Sequence, residues 1–181
     1  MQATAHTSSI WTIDNFLSVQ ECDDLIAFSE KTGYDEAEVS LSSGSQMMKS
    51  LRNNYRLIYT DEILAQQLWE KIKNYVPEQI EDSQAIGLNE QFRFYRYEND
   101  QRFKRHIDGR FHRNDQEESR ITFMIYLNDN FTGGETAFDN ISILPVKGKA
   151  LCFIHEQKHE GSPVTSGIKY VLRSDVMYKR I

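Results

Sequence analysis

The second half of this chain constrains its fold most. After Gly87 the sequence becomes a series of short β-prone runs separated by Gly and Asn turns. Phe92, Phe94, Tyr95 and Tyr97 form an aromatic run, residues 121–127 a second strand, and residues 128–134 a turn. Further strands are expected over residues 135–138, 141–144, 150–154 and 170–178. Many short strands with turn residues between them argue for a sandwich or jelly roll. No internal repeat at solenoid spacing competes with that reading.

The first half reads differently. Residues 10–16 alternate apolar and polar and predict a short strand. Ser18 lies three before Glu21, the spacing of a capping box. Cys22, Leu25, Ile26 and Ser29 then recur at helical spacing, which predicts a helix over 19–32 stopped by Gly33. A second helix is predicted over 61–76, with Ile63, Leu64, Leu68, Ile72 and Tyr75 on one face and Pro77 at its end. Residues 40–50 are small and polar apart from two methionines and read as a mobile loop. The run Arg52, Asn53, Asn54, Arg56 reads as a solvated loop, with substrate contact as the alternative. The expected architecture is a β-rich α+β single domain over 1–181. Residues 1–86 would be mainly a helical support layer and 87–181 the jelly-roll core.

Charge and composition narrow the function classes. The chain has 21 Lys and Arg against 27 Asp and Glu, a formal charge of −6, which argues against a general nucleic-acid binder. No apolar run approaches the roughly 18 residues needed to cross a membrane. The polar N-terminus lacks the order of a signal peptide, so a cytoplasmic protein with no membrane partner is the expectation. Cys22 and Cys152 make no disulfide framework and read as reduced and buried.

The five histidines, His6, His106, His112, His155 and His159, carry most of the chemical information. His106 and Asp108 lie two apart, so on a strand both would face the same side and could reach one metal ion. Alone the pair is weak, because 27 acidic residues in 181 place an acid two after any histidine often. The bland alternative is a surface histidine beside a turn aspartate. His159, just after a candidate strand, would complete a set of two histidines and one carboxylate. Such a set holds ferrous iron on one face and leaves positions open for other ligands.

Lys169 and Arg173 lie beyond His159, and residues 169, 171 and 173 share one strand face. If that face is interior, a buried cation there would need an anion, such as a substrate carboxylate. Periodicity does not decide whether the face is interior or solvated. The segment His155-Glu156-Gln157-Lys158-His159 fits the H-E-x-x-H pattern of zinc hydrolases. That chemistry needs a helix, whereas residues 150–154 favour a strand and Gly161 and Pro163 would truncate a helix. His155 then reads as a loop or rim residue. Arg102, Lys104, Arg105, Arg110 and Arg113 cluster around the candidate ligands. They form either a solvated face or a mouth that steers an acidic substrate.

Three segments, FRFYRYENDQRFKRHID, ITFMIYLNDNFTGGETAF and PVKGKALCFIHEQKHEGSPVTSGIKYVLRSDVMY, resemble the iron(II)- and 2-oxoglutarate-dependent dioxygenases, in their prolyl 4-hydroxylase-like branch. The resemblance implies a double-stranded β-helix, a jelly-roll core with N-terminal helices packed outside. It implies His106, Asp108 and His159 as iron ligands and as the catalytic centre. It implies Lys169 as the partner of the distal carboxylate of 2-oxoglutarate, with Arg173 as the competing cation. Tyr97 would line the cosubstrate pocket and Tyr126 would hydrogen-bond the cosubstrate. Gly133 and Gly134 match the family's turn and shape it rather than act chemically. Glu98-Asn99-Asp100-Gln101 departs from the family's Gly-rich stretch and would give the site a charged lip.

The activity implied is hydroxylation of an unactivated C–H bond, with 2-oxoglutarate and O2 consumed and succinate and CO2 released. Ascorbate would serve as an accompanying reductant. The substrate would be a peptidyl residue or a small amino-acid-like molecule. Two other classes stand beside this reading: a zinc-dependent hydrolase built on the HEQKH segment, and a non-catalytic cupin-like binding module.

Overall fold

Burial on both faces of the longest strands decides the architecture. The computed structural model describes residues 1–36, 39–41, 44–46 and 52–181. Its principal strands are β1 (Ile10–Asp14), β2 (Tyr55–Thr60), β3 (Ser83–Leu88), β4 (Gln91–Glu98) and β5 (Phe103–His106). They continue with β6 (Glu117–Tyr126), β7 (Thr136–Ala137), β8 (Ala150–Ile154), β9 (His159–Gly161) and β10 (Ile168–Arg180). The large antiparallel sheet runs Gln2–Ala5, β1, β8, β6, β10, β4, β2, Asp35–Glu36, with β3 also paired to β10. A smaller sheet runs β5, β9, β7, Ser142–Ile143, and Thr132–Gly133 pairs with Val164–Ser166 beside it. The two facing sheets form the expected jelly roll.

The pleat sorts side chains into two cores. One face of the large sheet carries Phe92, Phe94, Ile121, Phe123, Ile125, Leu172 and Val176, packed with Phe16, Cys22, Leu68 and Ile72 of the helical layer. The other face carries Tyr95, Tyr97, Tyr126, Leu151, Phe153 and Val171, packed with Phe138, Ile143 and Val164 of the smaller layer. A sheet covered on both sides needs apolar residues at successive positions, which is why its strands read as near-continuous apolar runs. Ile121, Phe123 and Ile125, almost wholly buried, each contribute about 1.5–3 kcal/mol by leaving water.

Local signals place the helices. α1 (Val19–Thr32) starts at Ser18, whose hydroxyl accepts from Glu21 N while Glu21 accepts from Ser18 N; Gly33 ends it at φ 94°. α2 (Glu62–Ile72) is capped by Asp61, whose carboxylate accepts from Leu64 N, and passes into a 3-10 turn, Lys73–Tyr75. Ile63 is 72% exposed and leaves the predicted apolar face, whose inner row is Ala65, Leu68 and Ile72. Both cysteines are free and buried.

Three expectations are corrected. Residues 1–86 are not mainly a helical layer, because β1 and β2 are integral to the large sheet, against β8 and β4 respectively. The predicted 40–50 loop lies partly outside the described residues, and its described part pairs as a ribbon, Val39–Leu41 against Gly44–Gln46. Arg52 is not solvated either. It is 4% exposed, its guanidinium 4.4 Å from the Tyr95 ring centroid and 4.5 Å from that of Phe103.

Gly148 ties the start of the chain to the sheet. Its N–H donates to Tyr126 O, and its carbonyl accepts from Phe16 N and Leu17 N. Its φ is +79°, and a Cβ there would lie 2.3 Å from Leu17 O. Strain of this kind costs on the order of 1–3 kcal/mol before the clash is counted. Gly148→Ala should therefore lower unfolding free energy in urea by at least about 2 kcal/mol; a loss under about 0.5 kcal/mol, the range of ordinary surface changes, would contradict this account.

Candidate metal centre

The smaller sheet brings the two distant histidines together. β5 ends at His106, β9 begins at His159, and the two are register partners. Their imidazole centroids are 4.3 Å apart. His106 Nδ1 lies 2.8 Å from Lys104 O, and His159 Nδ1 lies 2.9 Å from Gln157 O. A carbonyl only accepts, so each Nδ1 carries the proton and each Nε2 presents its lone pair. Phe103 stacks on His106 at 3.5 Å, while Phe138 and Phe153 pack around His159.

Asp108 completes the cluster by another route than strand alternation. β5 stops at His106, so Asp108 lies in irregular chain, yet it is buried. Its Oδ1 is 3.5 Å from His106 Nε2 and its Oδ2 is 3.6 Å from His159 Nε2. One ligand atom from each residue lies within 4.8 Å of the others. Burial is the largest influence on Asp108 and opposes its ionisation, but Arg173 and the two histidines together hold its carboxyl well below the usual range. Burial, reinforced by His106 and opposed by Asp108, pushes His159 down to about 4, so it is neutral near pH 7. Two imidazole Nε2 atoms and a carboxylate suit a divalent first-row metal with positions left over.

Lys169 and Arg173 both face this cavity, as do Tyr97, Thr136 and Val171. That resolves the question periodicity left open: the 169/171/173 face is interior. Lys169 is 3% exposed and donates to Gly134 O at 2.6 Å. Burial pushes it down to about 7, with Glu135 opposing. Arg173 is engaged elsewhere, donating to Asp108 Oδ1 at 2.9 Å and to Asp175 Oδ1 at 3.1 Å. Gly134, at φ +72°, gives its carbonyl to Lys169, and a Cβ there would crowd Lys169 Cδ at 3.1 Å. Tyr126 stands behind Lys169, 5.4 Å from ring centroid to Nζ, and its hydroxyl is bonded to Thr136 Oγ1 at 2.7 Å.

The structure corrects the reading of His155. It is 1% exposed, not at a rim, with Nε2 on Ser119 Oγ at 2.8 Å and Nδ1 on Thr122 Oγ1 at 3.0 Å. Residues 155–158 form no helix, so His155 and His159 do not share the helical face that a zinc hydrolase needs. Arg105, Arg110 and Arg113 of the basic cluster are ion-paired to Asp139, to Glu118 and Glu156, and to Glu90 and Glu117. Their charge is largely cancelled, which favours the solvated-face reading. Asn99 and Asp100 form a left-handed turn at φ 48° and 62°, a conformation these side chains tolerate, and neither lines the cavity. Thr122, Asp175 and Arg93 were missed; the one available signal was Asp175, two residues beyond Arg173 on the same strand face.

Residues 92–174 match the family model described as the 2OG-Fe(II) oxygenase superfamily. No curated protein matches the chain by sequence. Among solved structures, a prolyl hydroxylase from Trichoplax adhaerens in complex with a hypoxia inducible factor peptide fragment is similar at TM-score 0.74 and 18% identity, covering 94% of this chain and 84% of that one. The viral collagen prolyl hydroxylase of Paramecium Bursaria Chlorella virus-1, a 2OG complex, is similar at 0.67 and 23%, covering 95% and 97%. A Pseudomonas putida prolyl-4-hydroxylase is similar at 0.66 and 19%, covering 97% and 94%. At these identities the likeness establishes the fold.

The depressed Lys169 makes a stability prediction. Between about pH 7 and its ordinary 10.5, the unfolded chain holds a proton that the folded chain has released, so stability should rise with pH across that window. Lys169→Met should be more stable than the parent at pH 6 in ligand-free protein, by on the order of a few kcal/mol. The gap should shrink toward pH 10, as read by urea unfolding. A gap independent of pH would contradict the burial account.

Proposed function

We propose that this chain, whose residues 92–174 match the 2OG-Fe(II) oxygenase superfamily model, hydroxylates a C–H bond of a peptidyl residue, with 2-oxoglutarate converted to succinate and CO2. The observation that carries the reading is one cavity lined by His106, Asp108 and His159 together with Lys169. The two Nε2 atoms and the Asp108 carboxylate would hold iron(II). When bound, iron(II) would supply the activation of O2 that the side chains cannot perform.

The chain's own residues would do the rest. Lys169 would pair with the distal carboxylate of 2-oxoglutarate, because its charge is buried and its hydrogen bond goes to a neutral carbonyl, Gly134 O. The incoming anion would raise its depressed pKa and keep it charged. Tyr97 and Val171 would wall the cosubstrate, while Met124 and Phe153 line the same cavity and would exclude water. Arg173 is the poorer candidate for that carboxylate, since two carboxylates already share it. A peptide substrate is supported by the similar Trichoplax adhaerens enzyme, which is a complex with a peptide fragment.

Anaerobic protein loaded with iron(II) and titrated with 2-oxoglutarate should develop a saturable visible charge-transfer band. Succinate release can then be screened with proline-containing peptides and free amino acids. His159→Ala should lose the band and at least about 100-fold of 2-oxoglutarate turnover. Lys169→Ala should keep metal binding and need at least about tenfold more 2-oxoglutarate, as expected for loss of a charged hydrogen bond. Tight zinc binding without a band, or a His159→Ala protein that still turns over, would defeat the proposal.

A further inference from the structure

Asp108 has no strand to fix it, yet both its oxygens are held from the large sheet. Oδ1 accepts from Arg173 Nη1 at 2.9 Å, and Oδ2 accepts from Thr122 Oγ1 at 2.7 Å. The Arg173 guanidinium is itself held: Nη2 donates to Asp175 Oδ1 at 3.1 Å, and Asp175 Oδ2 accepts from Arg93 Nη1 at 2.9 Å. Arg173 and Arg93 are register partners across β10 and β4, as are Asp175 and Thr122 across β10 and β6. Two neighbouring strands, β4 and β10, therefore present one line of alternating charge, Arg93, Asp175, Arg173, that ends on Asp108.

The Thr122 side of the grip is equally determined. An ionised Asp108 can only accept, so the single hydroxyl proton of Thr122 points to it. Thr122 Oγ1 must then accept from His155 Nδ1, and His155 Nε2 accepts from Ser119 Oγ. Ser119 Oγ in turn accepts from Phe111 N, in the same connecting segment that carries Asp108.

We propose that Arg173 is a positioning residue for Asp108, its planar fork locking the carboxylate in one orientation against Asp175. This rests on the iron(II) reading above. Asp108 would then offer the metal one oxygen along a fixed direction. Lys169 would be left as the cation for the cosubstrate. The requirement is for the fork rather than the charge, because a lysine ammonium cannot bridge Asp108 and Asp175 in one plane.

The test uses cobalt(II) alone, titrated into chelator-stripped full-length protein and followed by visible absorption, beside the 2-oxoglutarate requirement of the iron-loaded enzyme. Arg173→Lys keeps the charge. It should weaken cobalt(II) binding about tenfold or more, the usual loss for a residue that orients a ligand, and alter the visible spectrum. At saturating metal, its 2-oxoglutarate requirement should stay within about twofold. Unchanged cobalt(II) affinity and spectrum would overturn the inference. So would a raised 2-oxoglutarate requirement with metal binding intact, which would make Arg173 a cosubstrate anchor. If Arg173→Lys does not fold, Asp175→Asn decides: it leaves Arg173 on Asp108 but removes the charge that holds the far side of the fork. It should weaken cobalt(II) binding severalfold, and no change would again overturn the inference. A parent protein that binds no cobalt(II) would defeat the metal reading itself, a failure distinct from equal binding by parent and variants.

Discussion

Strand β10 is the constraint on which the rest depends. It is thirteen residues long, pairs with β6 along one edge, and divides its other edge between β4 and β3. Its even positions, Leu172, Val176 and Tyr178 among them, pack with the helical layer. Its odd positions, Lys169, Val171, Arg173 and Asp175, face the cavity or the buried charges beside it. Because the pleat has a period of two, a slip of one residue would send the charges into the apolar core and the core residues into the cavity. Register here is enforced by the cost of burying unpaired charge as much as by hydrophobic burial.

Those charges form a balanced set. Arg93, Asp175, Arg173 and Asp108 alternate in sign, so each buried ion meets an opposite one. Removing one member of a buried pair typically costs about 3–5 kcal/mol, mostly because the other is left desolvated. Lys169 stands outside the set. Its burial without a carboxylate partner among the described residues is unfavourable in the free protein, and an anionic ligand is what would relieve it. Stability is thus given up at one position in the cavity while the neighbouring charges are paired, and the proposed ligand role of Lys169 rests on that contrast.

Local signals in the sequence were legible where the chemistry is local. Ser18, Glu21 and Gly33 bound α1 because capping involves residues three or four apart. The aromatic run of β4 and the apolar run of β8 read directly as strands. Ile63 misled, since four apolar neighbours drew it onto a face from which it is in fact turned out. β2 was hidden because Tyr55–Thr60 follows a polar run that reads as loop, and only its pairing with β4 makes it a strand. Arg52 looked solvated for the same reason; the Tyr95 and Phe103 rings that enclose it come from strands some forty to fifty residues later.

The sequence by itself determined the candidate ligand types, the ends of α1, the β-rich second half and the resemblance that singles out His106, Asp108, His159 and Lys169. These are carried by residue identity and short-range spacing. Tertiary structure alone decided that the 169/171/173 face is interior, that His155 is buried behind Thr122, and that Arg173 answers to Asp108 and Asp175. Each of those depends on strands far apart in the chain lying side by side at a set register. Which of two cations is already satisfied is a matter of such neighbours, and no spacing within one strand encodes it.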